Sequence, residues 1–75
     1  MDEYVSEEER REAMEAAYRA VEDAMEAAER ALEEVEGARK EASPADAKGE
    51  LALAHRAVTA ALVQLRDARA VLAGA

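Results

Sequence analysis

Leu51-Ala52-Leu53-Ala54-His55-Arg56-Ala57-Val58-Thr59-Ala60-Ala61-Leu62-Val63-Gln64-Leu65 is the segment around which the rest of the chain is organised. Arg56 is the only permanently charged residue in it, although charged side chains make up 37% of the chain. Leu51, His55, Val58, Leu62 and Leu65 recur at alternating steps of four and three, the period of a helix that buries one stripe against another helix. Continued in both directions, the pattern predicts a helix over about 44–73, with Leu51, Val58, Leu65 and Leu72 at heptad position d and His55, Leu62 and Arg69 at a. Position g is alanine throughout, at Ala47, Ala54, Ala61 and Ala68. Unlike an ordinary surface helix this one has no fully polar side, because Leu53, Ala57, Ala60, Val63, Ala70 and Val71 lie outside the seam.

Such a helix needs cover, and the preceding segment supplies it. Met14, Tyr18, Val21, Met25, Ala28, Leu32 and Val35 form a second heptad seam on a helix predicted over about 6–40. Ser6 followed by Glu9 is a capping-box start, with Met1–Val5 as a frayed lead-in. Ala17, Ala24, Ala31 and Ala38 occupy g and widen the apolar arc on one side. The other side carries an acidic stripe of Glu12, Glu15, Glu22, Glu26, Glu29 and Glu33, with Glu8 and Glu36 at its ends, interrupted by Arg19. Gly37 is a possible C′ stop, but Ala38, Arg39 and Lys40 continue the heptad, so the helix is read through it.

Ser43-Pro44-Ala45-Asp46 is a restart signal: a hydroxyl N-cap, proline at N1 where no N–H is needed, and a carboxylate against the helix dipole. The turn therefore falls at about 41–43, and Gly74 and Ala75 are expected to fray. The fold class is all-α: an antiparallel, coiled-coil-like two-helix hairpin in a single domain over 1–75, expected to dimerise into a four-helix bundle. Facing seam residues in an antiparallel pair have numbers of constant sum. A sum of 83 sets Leu32 against Leu51, Ala28 against His55 and Met25 against Val58, and places Glu15 near Arg66.

Composition narrows the function. Twenty-one alanines, two tyrosines and no other aromatics favour helix over strand. With no cysteine there are neither disulfides nor thiolate metal sites, and 75 residues make a core that is marginal without a partner. A net charge of −8 opposes direct nucleic-acid binding. No secretory signal and no run of about 20 apolar residues is visible, so no membrane partner is expected and the cytoplasm is the expected location.

No catalytic constellation can be assembled, which argues against an enzyme. His55 alone cannot hold a metal and is read as a packed or interface histidine hydrogen-bonded to a glutamate, with a pH-sensitive contact as the other reading. Glu-x-x-Glu spacings such as Glu12 with Glu15 and Glu26 with Glu29 are a solvated face, so neither metal nor cofactor is expected. The remaining reading is a protein–protein interaction or structural module, a homodimer or a hairpin docked on another protein. Its interface is expected at Ala17, Ala24, Ala31, Leu53, Ala54, His55, Ala57, Ala61, Val63, Ala68 and Val71. An acidic decoy, whose glutamate stripe imitates a phosphate backbone and occupies a basic protein, is the alternative.

Overall fold

The computed structural model describes residues 6–74; the lead-in Met1–Val5 and Ala75 lie outside them. Within this range the chain is an all-α hairpin without strands. Helix α1 spans Glu7–Glu41, a short α2 spans Pro44–Lys48, and α3 spans Glu50–Gly74. Gly74 is thus the last helical residue rather than a frayed one.

Both starts follow from local chemistry. Ser6 Oγ accepts from the Glu9 N–H at 3.1 Å while Glu9 Oε1 accepts from the Ser6 N–H at 3.1 Å, so two of the orphan donors at the α1 terminus are satisfied reciprocally. Ser43 Oγ accepts from the Asp46 N–H at 3.2 Å, and Pro44 enters α2 at its first position. Arg39 and Lys40 complement the carbonyl end of α1, which runs through Gly37 and stops at Glu41.

The second arm departs from the continuous helix expected over 44–73, because it is bent at Gly49. Two backbone bonds still bridge the bend, from Gly49 N–H to Ala45 O at 2.9 Å and from Leu53 N–H to Gly49 O at 3.1 Å. A Cβ on Gly49 would stand 3.0 Å from the Ala45 carbonyl oxygen, so the close approach of backbone to backbone is one that a side chain would resist. Gly37, by contrast, has open space where a Cβ would be.

The two long helices lie side by side in a rod of 61 × 21 × 17 Å. Every expected seam residue from Met14 to Val35 and from Leu51 to Leu72 is wholly or partly buried. The most deeply buried among the described residues are Met25, at 7% exposure, and Leu62, at 4%. One seam between two helices shields a side chain from a single direction, and a residue is enclosed only at mid-length, where neighbours flank it above and below.

The alignment differs from the expected one by a heptad. His55 Nε2 lies 3.2 Å from Glu36 Oε2, a pair whose numbers sum to 91. Arg69 shares a surface depression with Glu22, Met25, Glu26 and Glu29, whereas the expected alignment sets it against Met14. A seam sum of 90 satisfies both and keeps a facing d, so His55 is level with Val35 and Leu62 with the small Ala28. The sum of 83 is therefore corrected. The shift goes with the bend: α2 occupies the closed end, tied to α1 by the bond from Arg39 to the Ala47 carbonyl, and α3 is aligned one heptad further along. As a consequence α1 overhangs α3 at the open end, where Leu72 meets Met14 and Tyr18.

The alignment is directly testable. Cysteines replacing Ala31 and Ala61, neighbours on the g flank at this sum, are expected to form an intrachain disulfide under mild oxidation of dilute protein, whereas Ala24 with Ala61 is not. Peptide mapping showing the opposite preference would restore the earlier alignment.

Candidate functional site

Three surfaces and one polar cluster carry the residues singled out in the sequence. The first surface is the outward face of α3. It points away from α1 because Leu51, Val58, Leu62 and Leu65 take the inward positions, and three large apolar side chains remain on it: Leu53 at 61% exposure, Val63 at 50% and Val71 at 71%. Ala57 and Ala60 beside them are exposed as well. These are the large hydrophobic side chains left in solvent among the described residues, and all three stand on one helix.

The second surface is the alanine flank, which is uneven. Ala17, Ala54 and Ala68 are half-buried at its edge with the seam, whereas Ala24, Ala31 and Ala61 are exposed. His55, grouped with this interface in the sequence, is half-buried, and its Nε2 lies 3.2 Å from Glu36 Oε2 at an exposed position. The imidazole–glutamate hydrogen bond is the expected one, and its partner is now identified.

The third surface is the acidic stripe. Glu12, Glu15, Glu26, Glu29 and Glu33 are exposed, and Glu22 is half-buried beside Arg69. Among the described residues the one pairing of a basic side chain with a carboxylate closer than 4.0 Å is His55 with Glu36, so Glu15 and Arg66, expected near one another, make no such contact. The same displacement by a heptad carries Arg66 up α1 to the level of Glu22. Because the stripe makes no close pairs, changing Glu22, Glu26 and Glu29 together to glutamine is expected to shift unfolding by no more than about 1 kcal/mol in total. Chemical denaturation checks it, and a change of several kcal/mol would mean that the stripe is covered.

The polar cluster lies at the closed end, where Glu36, Arg39, Lys40, Ala47 and His55 line a shallow groove. Arg39 Nε donates to the Ala47 carbonyl at 3.1 Å, at the place where the bend interrupts the helical ladder. Arg39 was not singled out in the sequence. Its signal was present: it occupies an a position one heptad beyond Leu32, and an inward arginine needs an acceptor. Among the described residues no group of three or more His, Asp or Glu side chains is arranged to hold a metal ion. No helix among them is long and apolar enough to cross a membrane.

No protein-family model, curated protein or solved structure matches this chain.

Proposed function

We propose that this protein is a non-enzymatic interaction module, a helical hairpin that self-associates through the apolar outward face of α3 and the alanines adjoining it. The observation that carries the reading is the exposure of Leu53, Val63 and Val71 on one helix. Burying each such side chain is worth about 1.5–3 kcal/mol, a gain that an isolated hairpin forgoes.

Surface area supports the same reading. The chain presents 5948 Å² to solvent. A compact monomer of its 8.1 kDa presents about 4,500 Å². The surplus of roughly 1,400 Å² exceeds the ~800 Å² that each partner contributes to an ordinary stable interface. A second copy is the occupant that requires nothing else, and association by a two-fold axis covers the same strip on both chains at once.

Sedimentation equilibrium of the full chain tests the proposal. A dimer is expected at micromolar concentration, with a melting temperature that rises with protein concentration because association stabilises the folded state. Apolar association is expected to persist as salt is raised from about 0.1 to about 1 M, over which the screening length falls from ~10 to ~3 Å. A monomer across this range would end the reading, and salt-sensitive capture of a basic protein by that monomer would pass the role to the acidic stripe.

A further inference from the structure

We propose that, within the self-association just described and resting on it, α3 pairs with α3 of a second copy, antiparallel, about a two-fold axis at the level of Leu62. Leu53, Ala57, Ala60, Gln64, Asp67 and Val71 recur at steps of four, three, four, three and four, and all six are exposed. They form a second heptad seam on the side of α3 opposite the one that meets α1. Leu53 and Val71 are eighteen residues apart, five full turns at 3.6 residues each, so they stand on one line, with Ala57, Ala60, Gln64 and Asp67 between them.

An antiparallel copy turns that line end for end. Leu53 then meets Val71 of the partner subunit, and Ala60 meets the partner's Gln64. Each large side chain faces a large one at the two ends, and the helices approach closely over alanine in the middle. On one flank Ala57 lies beside the partner's Ala68, again small against small.

The other flank supplies the charge argument. Arg56 and Asp67 are both exposed and make no close ion pair with one another or with any other of the described residues. Eleven residues of helix separate them by about 16 Å, too far to meet. In the antiparallel pair Arg56 and the partner's Asp67 fall within one residue of the same level on the same flank, and the two-fold axis makes this bridge twice. A parallel pair would set Arg56 beside the partner's Ala57 and Asp67 beside the partner's Ala68, leaving both charges unmatched. Between the two bridges Val63 meets the partner's Val63 across the axis.

The overall charge agrees with this choice of face. Residues 1–41 carry six basic and fifteen acidic side chains, a net −9, whereas residues 42–75 carry four basic and three acidic, a net +1. Pairing the second arms puts the near-neutral helices together and holds the two acidic helices apart on the outside. The four helices then lie side by side with the α3 pair innermost, rather than in a square bundle.

Charge reversal in the full chain tests this geometry. Arg56→Glu and Asp67→Arg are each expected to weaken the dimer by about tenfold or more, since each replaces two attractions by two repulsions. The double variant R56E/D67R is expected to return to within about threefold of the original dissociation constant, which only an Arg56–Asp67 contact between chains can produce. Leu53→Cys combined with Val71→Cys in one chain is expected to give a covalent dimer under mild oxidation, while either cysteine alone gives none. A dimer insensitive to the reversals, or a double variant worse than both singles, overturns the α3–α3 geometry and leaves self-association standing through another face. An original chain that sediments as a monomer overturns both.

Discussion

Truncating Leu62 to alanine is expected to cost about 2–5 kcal/mol, the range for removing a buried leucine and leaving a cavity the surroundings only partly fill. For a chain of this size each kcal/mol corresponds to about 4–8 °C, so the melting temperature should fall by well over 10 °C. The effect is large because the enclosed part of the core is small. Leu62 and Met25 are the most deeply buried side chains among the described residues, and a seam sum of 90 sets Leu62 level with the small Ala28. Leu53→Ala, at a site 61% exposed, is the matched control, expected to change the melting of the dissociated hairpin by little. Thermal unfolding followed by far-ultraviolet circular dichroism at low protein concentration compares them, and similar shifts for both would show that α3 is rotated from the orientation described.

Replacing Leu53 and Val63 together by glutamate is the second large effect. Neither side chain supports the hairpin itself, so helicity should be retained. Each substitution is present twice in a two-fold dimer, and four apolar groups worth about 1.5–3 kcal/mol apiece when buried are lost, with four charges placed in an apolar contact. Dissociation is expected to be complete at the concentrations where the original chain is a dimer. Sedimentation velocity reads the outcome directly, and an intact dimer in the double variant would remove the outward face of α3 from the interface.

The helices and the faces they turn to one another are legible in the residues themselves. Most of the charge lies on the outside of α1, the alternating four-three spacing puts Met14 to Val35 and Leu51 to Leu72 inward, and Ser6-Glu9 and Ser43-Pro44-Asp46 mark where helices begin. The hydrogen bond from His55 to a glutamate follows from the same pattern. What the pattern does not contain is the alignment of one seam against the other, because a heptad repeat slid by seven residues presents the same positions again. Ala28 accommodates His55 as readily as Leu62, and alanine lines the g flank at either alignment, so no steric conflict separates the two.

Nor do the glycines announce their roles. Gly37 and Gly49 both stand among good helix formers, where a glycine costs roughly 1 kcal/mol relative to alanine. One is absorbed into α1 and the other bends the second arm, where a Cβ on Gly49 would crowd the Ala45 carbonyl four residues back, a detail of backbone geometry that residue type alone does not reveal. The exposed residues of the candidate interface divide in the same way. Leu53, Val63 and Val71 are outside the seam on any helical wheel, whereas His55 and the half-buried alanines depend on how closely the two helices lie.

The bend at Gly49 therefore governs length bookkeeping in this hairpin. Since the seam is indifferent to shifts of seven, the closed end alone counts residues, through the span of α2 and the tie from Arg39 to the Ala47 carbonyl. Deleting one heptad from α1 far from that end, between Tyr18 and Met25, would leave every pairing on the closed side as it is and simply shorten the overhang. Removing the same number of residues from around α2 would instead slide the whole of α3 along α1 by about 10 Å. Changes of length are therefore expected to be tolerated at the open end of the rod and to displace the whole second arm when made at the closed one.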